Sequence, residues 1–127
     1  MAEQVTFEEA YKVVMQHIRD RKWDKTNDAR GLAISLSLEA SEFLEYFQWN
    51  GTSLGTKEDM ASELADIFIY GIQFADRFDI DIPLAISKKI DKQNKKYPKE
   101  IFDIKNEKER NKAWLEAKQN YKKDTTL

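Results

Sequence analysis

The sequence has no cysteine and one histidine, His17, which excludes disulfides, thiolate zinc centres and cysteine nucleophiles and leaves no histidine cluster for a metal. Metal chemistry, where present, falls to carboxylates. A serine triad would have only His17 as its base, and a di-iron bundle would lack both histidines of its paired Glu-x-x-His motif. Glycine occurs four times and proline twice, against 41% hydrophobic and 35% charged residues, a balance that favours a folded, helix-rich chain over a disordered or all-β one. No window approaches the ~18 apolar residues of a membrane span, and no basic stretch followed by an apolar run opens the chain. The expectation is a soluble, cytoplasmic protein with no membrane partner. At 127 residues there is room for one compact core.

Net charge is small in total and uneven in distribution. The net charge is -2, yet residues 1–87 sum to -8, whereas residues 88–112 carry ten Lys or Arg against five acids and the remaining tail adds +1. So small a total argues against bulk nucleic-acid binding, while the basic segment offers contacts to a phosphate-bearing ligand as well as a solvated lysine face.

Periodicity and capping predict an all-α, four-helix bundle-like fold. Thr6 with Glu9 reads as a capping box ahead of an apolar stripe, giving a first helix from about Phe7 to Arg21. A polar connector, Trp23 to Asp28, supplies Asn27 or Asp28 as the cap of a second helix over residues 29–49. Asn50 to Gly55 reads as a turn-rich loop, without the Gly-x4-Gly-Lys-Ser/Thr spacing of a phosphate loop. Thr56 with Asp59 caps a third helix reaching about Phe78, apolar around most of its circumference and therefore central. Pro83, preceded by Asp81 or Ile82, opens a fourth helix that Tyr97-Pro98 stops. A helical domain over residues 1–98 and a polar C-terminal extension over 99–127, with a short helix near Trp114, Leu115 and Tyr121, complete the expectation.

Two acid pairs carry the chemistry. Glu39-Ala-Ser-Glu42 lies on the second helix and Glu63-Leu-Ala-Asp66 on the third, each pair at i and i+3 and so projecting from one face. Acids on helices ordinarily face water, but Glu63 and Asp66 sit in a core-like run whose other strongly polar side chain, up to Ala75, is Gln73. Burying unpaired carboxylates is costly, and four of them facing one another repel. A divalent cation with a preference for oxygen, magnesium or manganese, resolves the conflict. Glu45 is placed beside this site, and Glu58 and Asp59 serve the helix dipole.

This pattern, Glu-x-x-Glu, twenty intervening residues and Glu-x-x-Asp, resembles that of the MazG-like nucleoside triphosphate pyrophosphohydrolases. Phe47-Gln48-Trp49, Ile69-Tyr70 and Lys96-Tyr97-Pro98 are similar to the flanks found in the compact deoxycytidine triphosphate pyrophosphatase branch, and the likeness covers roughly residues 7 to 98. The resemblance implies an enzyme that hydrolyses a nucleoside triphosphate to the monophosphate and pyrophosphate, sanitising or balancing the nucleotide pool. Glu39, Glu42, Glu63 and Asp66 would hold the metal and serve catalysis. Lys96, with Lys89 and Lys92 on the same helix, would neutralise phosphate charge. Trp23, Trp49 and Tyr70 would flank the base, and Gln93, Asn94 and Tyr97 would complete the substrate contacts. Gln93 stands where many relatives have asparagine, and Val14 where cytidine-type relatives carry histidine. A homodimer or homotetramer is implied, and the apolar third helix argues for at least a dimer. Two competing expectations are a non-enzymatic helical binding module and an all-helical diphosphatase acting on di- and triphosphates.

Overall fold

A computed structural model describes residues 4–49 and 55–125. The expected loop over Asn50 to Gly55 falls largely outside them. Every regular element among the described residues is helical, in line with the all-α expectation. The chain divides into two compact units, Met1–Ile80 and Asp81–Leu127.

The first unit contains α1 (Phe7–Asp20), α2 (Trp23–Thr26), α3 (Ala29–Glu45) and α4 (Lys57–Arg77). Local chemistry sets where the long helices begin. The Thr6 hydroxyl accepts from the Glu9 N–H at 3.1 Å while the Thr6 N–H donates to the Glu9 carboxylate at 2.9 Å, and Thr56 and Asp59 repeat both bonds at the same two distances. Asp28 caps α3 by accepting from the Gly31 N–H at 2.6 Å.

Two boundaries differ from expectation. The polar connector coils into α2 because Lys22 adopts a left-handed backbone, φ 57°, that turns the chain, and the Asn27 N–H closes the short helix onto the Trp23 carbonyl at 3.0 Å. The second expected helix ends at Glu45 instead of residue 49. Its last turn holds no base to complement the negative end of the helix dipole, only Glu42 and Glu45, and the Phe47 N–H tightens back onto the Leu44 carbonyl at 2.9 Å.

Helix α4 is the element against which α1, α2 and α3 all pack, and its contact with α3 is the most extensive in the unit. Met15 and Ile18 from α1, Leu32 from α3, and Ile72 and Ala75 from α4 form the buried apolar core. Gln73, 6% exposed, is the buried polar side chain among the described residues. Much apolar surface stays uncovered within the chain: Val5, Phe7, Val13, Leu64 and Phe68 flank an apolar groove of about 630 Å³ between α1 and α4.

The second unit contains α5 (Ile82–Lys96), a 3-10 turn over Lys99–Asp103 and α6 (Glu107–Thr125). Asp81 caps α5, its carboxylate accepting from the Leu84 N–H at 2.9 Å, with Pro83 in the first turn where its missing N–H costs nothing. Helix α6 has 19 residues, longer than the short helix expected near Trp114. Its start is fixed by Asn106, whose side chain accepts from the Glu109 N–H at 3.0 Å. The Trp114 ring lies flat on Tyr97, with centroids 5.6 Å apart and planes within 7°, and the Lys96 ammonium sits 5.1 Å from the Tyr97 ring centre and 5.6 Å from that of Tyr121.

Candidate metal and nucleotide site

Helices α3 and α4 run side by side and bring their acidic faces together. Glu39, Glu63 and Asp66 each offer a carboxylate oxygen, and the three oxygens lie within 4.8 Å of one another. Oε2 of Glu39 and Oε2 of Glu63 are sealed from solvent with no hydrogen-bond partner among the described residues. Such atoms carry a desolvation cost that a hard cation with oxygen ligands removes, so the donor set fits a divalent metal. Glu42 is more exposed and stands at the edge of the cluster.

The electrostatics follow from this crowding. Burial, then a hydrogen bond with Glu42 and the charges of Glu42, Asp66 and Glu63, lift the Glu39 pKa above its ordinary 4.5. Glu63 is lifted likewise, first by burial and then by the charges of Glu42 and Asp66, with Glu45 contributing least. Tyr46, one turn beyond Glu42, was not marked by the sequence. Its phenol is pushed above its ordinary value by burial and then by Asp59, Glu63, Glu45 and Glu42. Gly55 lets the chain pass this ring, since a Cβ there would lie 2.5 Å from a Tyr46 ring carbon.

Further along the same seam the two helices and α2 border an open cavity of about 480 Å³, lined by Trp23, Asn27, Ser35, Tyr70 and Gln73 among others. Ser35 precedes Glu39 by one turn, and Tyr70 follows Asp66 by one turn, so cavity and acid cluster occupy one continuous face of each helix. Trp23 and Tyr70 thus share a wall, while Trp49 lies 64% exposed in the turn after α3 and does not line the cavity. Asn27 and Gln73 were not singled out as ligand contacts. The available signal was Gln73 itself, a lone amide in an apolar run and two turns from Asp66.

On the second unit, Lys89, Gln93 and Lys96 follow one another at four and three residues and share a face of α5, and Asn94 lies next to Gln93. Lys89, Gln93 and Asn94 are exposed; Lys96 and Tyr97 are half-buried against the aromatic side of α6.

The sequence pattern of the MazG-like family matches residues 34–116, which spans both acid pairs and the Lys96-Tyr97-Pro98 stop. The chain belongs to the MazG-like family. This MazG-like chain is 30% identical to human dCTP pyrophosphatase 1 over 101 residues, and 29% identical to the rat protein over the same length, in each case across 73% of the chain. It spans 59% of the length of those two relatives. A pyrophosphatase from Archaeoglobus fulgidus, known from a crystal structure, superimposes with a TM-score of 0.61 at 27% identity, covering 77% of the MazG-like chain and 97% of the archaeal one. The all-helical architecture is therefore shared with a pyrophosphatase of known structure. Among the described residues no helix is long and apolar enough to cross a membrane.

Proposed function

We propose that this MazG-like chain hydrolyses a nucleoside triphosphate to the monophosphate and pyrophosphate, with a divalent cation, magnesium or manganese, held by Glu39, Glu63 and Asp66 and supported by Glu42. The observation that carries this reading is the convergence of three carboxylate oxygens within 4.8 Å on two packed helices, two of the glutamates burying an unpartnered oxygen. When bound, the cation would neutralise triphosphate charge and make water a better nucleophile for cleavage between the α- and β-phosphates. The chain's own part is orientation. Glu39 and Glu63, on α3 and α4, hold their carboxylates together for the cation, and the burial that raises their pKa strengthens charge interactions there.

Trp23 and Tyr70 offer aromatic faces to the base at the cavity, and Trp49 offers another after α3. On the second unit the same reading assigns ligand contact to Lys89, Gln93, Asn94, Lys96 and Tyr97. The named relatives make deoxycytidine triphosphate the first substrate to try. The test is a panel of nucleoside triphosphates incubated with and without magnesium, with monophosphate and pyrophosphate resolved by chromatography. Magnesium-dependent pyrophosphate release from any member is expected; silence across the panel would turn the assignment toward a non-enzymatic binding module. Consumption of a nucleoside diphosphate would identify a diphosphatase of broader range.

The exposed apolar strip on α1 and α4 supports assembly as a homodimer or homotetramer, since an apolar groove of about 630 Å³ is a surface that a second subunit would cover. Light scattering at micromolar concentration should give at least twice the 14.9 kDa chain mass; a monomer would refute this assembly.

A further inference from the structure

Gln73 is out of place in chemical terms. It lies in the most apolar stretch of α4, between Ile72 and Phe74, and is 6% exposed, yet its side chain is an amide with two hydrogens and a carbonyl to satisfy. One bond is made: the Asn27 side-chain N–H donates to Gln73 Oε1 at 3.3 Å, which is long for such a pair. The backbone holds Asn27 in place independently, because its carbonyl accepts from the Arg77 guanidinium at 2.7 Å. Gln73 Nε2 and Asn27 Oδ1 have no hydrogen-bond partner among the described residues. Both residues line the 480 Å³ cavity, together with the aromatic rings of Trp23 and Tyr70.

The spare donor of Gln73 and the spare acceptor of Asn27 belong to residues that line one cavity, where a ligand can take up both. A nucleobase edge presents just such a mixture of acceptors and donors on a flat ring. Distance agrees with this. Asp66 and Gln73 are seven residues apart on one helix, or about 10 Å along its axis, which separates the acid cluster from the amide pair by the reach of an extended nucleotide.

We propose that the Asn27–Gln73 amide pair reads the hydrogen-bonding edge of the base and sets which nucleoside triphosphate this site prefers. The proposal rests on the pyrophosphohydrolase reading for its substrate class. A site built to bond polar groups of its substrate discriminates far more sharply than an apolar pocket, because the wrong base strands the buried amides.

Gln73→Glu keeps the side chain's shape and replaces a donor with an acceptor, and Asn27→Asp makes the same kind of replacement at a less buried position, removing the N–H that holds Gln73 Oε1. Both variants and the wild type are to be compared for kcat/KM, and for calorimetric binding with magnesium, across the common nucleoside triphosphates. The expected result is a changed order of bases, with the ratio between preferred and disfavoured nucleotides moving by at least about tenfold. An unchanged order in a folded, active Gln73→Glu or Asn27→Asp protein would overturn the proposal. Base-dependent binding that the variants reorder, without any turnover in the wild type, would sustain the amide reading while removing the hydrolase one. Failure of the wild type to bind any nucleotide would remove both.

Discussion

Glu63→Ala is expected to lower magnesium-dependent pyrophosphate release by about three orders of magnitude, the several kcal/mol of charge stabilisation that a correctly held cation contributes. The same substitution should leave the metal-free protein folded. Glu63 buries an oxygen without a partner and stands among Glu39, Glu42 and Asp66, so its removal relieves repulsion that the fold otherwise sustains. The pH dependence gives an independent check. Glu39 and Glu63 bind protons more tightly folded than unfolded, so their contribution to stability falls as pH rises from the ordinary 4.5 through their raised folded values, and returns on acidification. Asp59 has the opposite sign: its hydrogen bonds to Thr56 hold its pKa below 3.8, and the stability it contributes is lost as pH falls through that lowered range. Thermal melts in chelator from about pH 7 down to about pH 5 should therefore show the wild type gaining stability, with a shallower gain in Glu63→Ala. Near-normal turnover in the variant, or a metal-free protein that fails to fold, would exclude the assignment of Glu63.

The second large effect concerns the core. Ile18 is 2% exposed, the most deeply buried large side chain among the described residues, and it adjoins Leu32, Asn27 and Gln73 around a gap of about 10 Å³. Ile18→Ala should destabilise the protein by about 3 kcal/mol, since it deletes buried carbons and enlarges a void that α1 and α4 cannot close. Ile18→Val should cost only about 1 kcal/mol. Urea unfolding with an unchanged slope and a lower midpoint would report this; equal midpoints for all three proteins would show that α1 is not part of the cooperative core.

What could be read in the sequence was local or periodic. The Thr6–Glu9 and Thr56–Asp59 boxes are three-residue patterns whose bonds form within one turn, and both appear where expected. The acid pairs could be read because i and i+3 share a helix face whatever the tertiary fold, and the apolar setting of Glu63 and Asp66 marked that face as inward. Helix α2 could not be read, because Lys22 takes a left-handed backbone without the glycine or asparagine that normally announces one. Nor could the pairing of Asn27 with Gln73, which are 46 residues apart and meet only once α2 packs on α4. The apolar circumference of α4 marked a central helix, and α1, α2 and α3 all pack on it; Leu64 and Phe68, 44% and 50% exposed, belong to the apolar edge expected to meet another subunit.

Tyr97 illustrates how packing narrows a residue's chemical options. One face of its ring is committed to Trp114, and the Lys96 ammonium rests over the ring as well. A flat aromatic ligand would have to dislodge one of these neighbours to stack there, losing a parallel ring contact or a cation held over a π-cloud. What Tyr97 retains for an incoming molecule is its phenolic hydroxyl, a directional donor and acceptor carried on a ring that its neighbours have already immobilised.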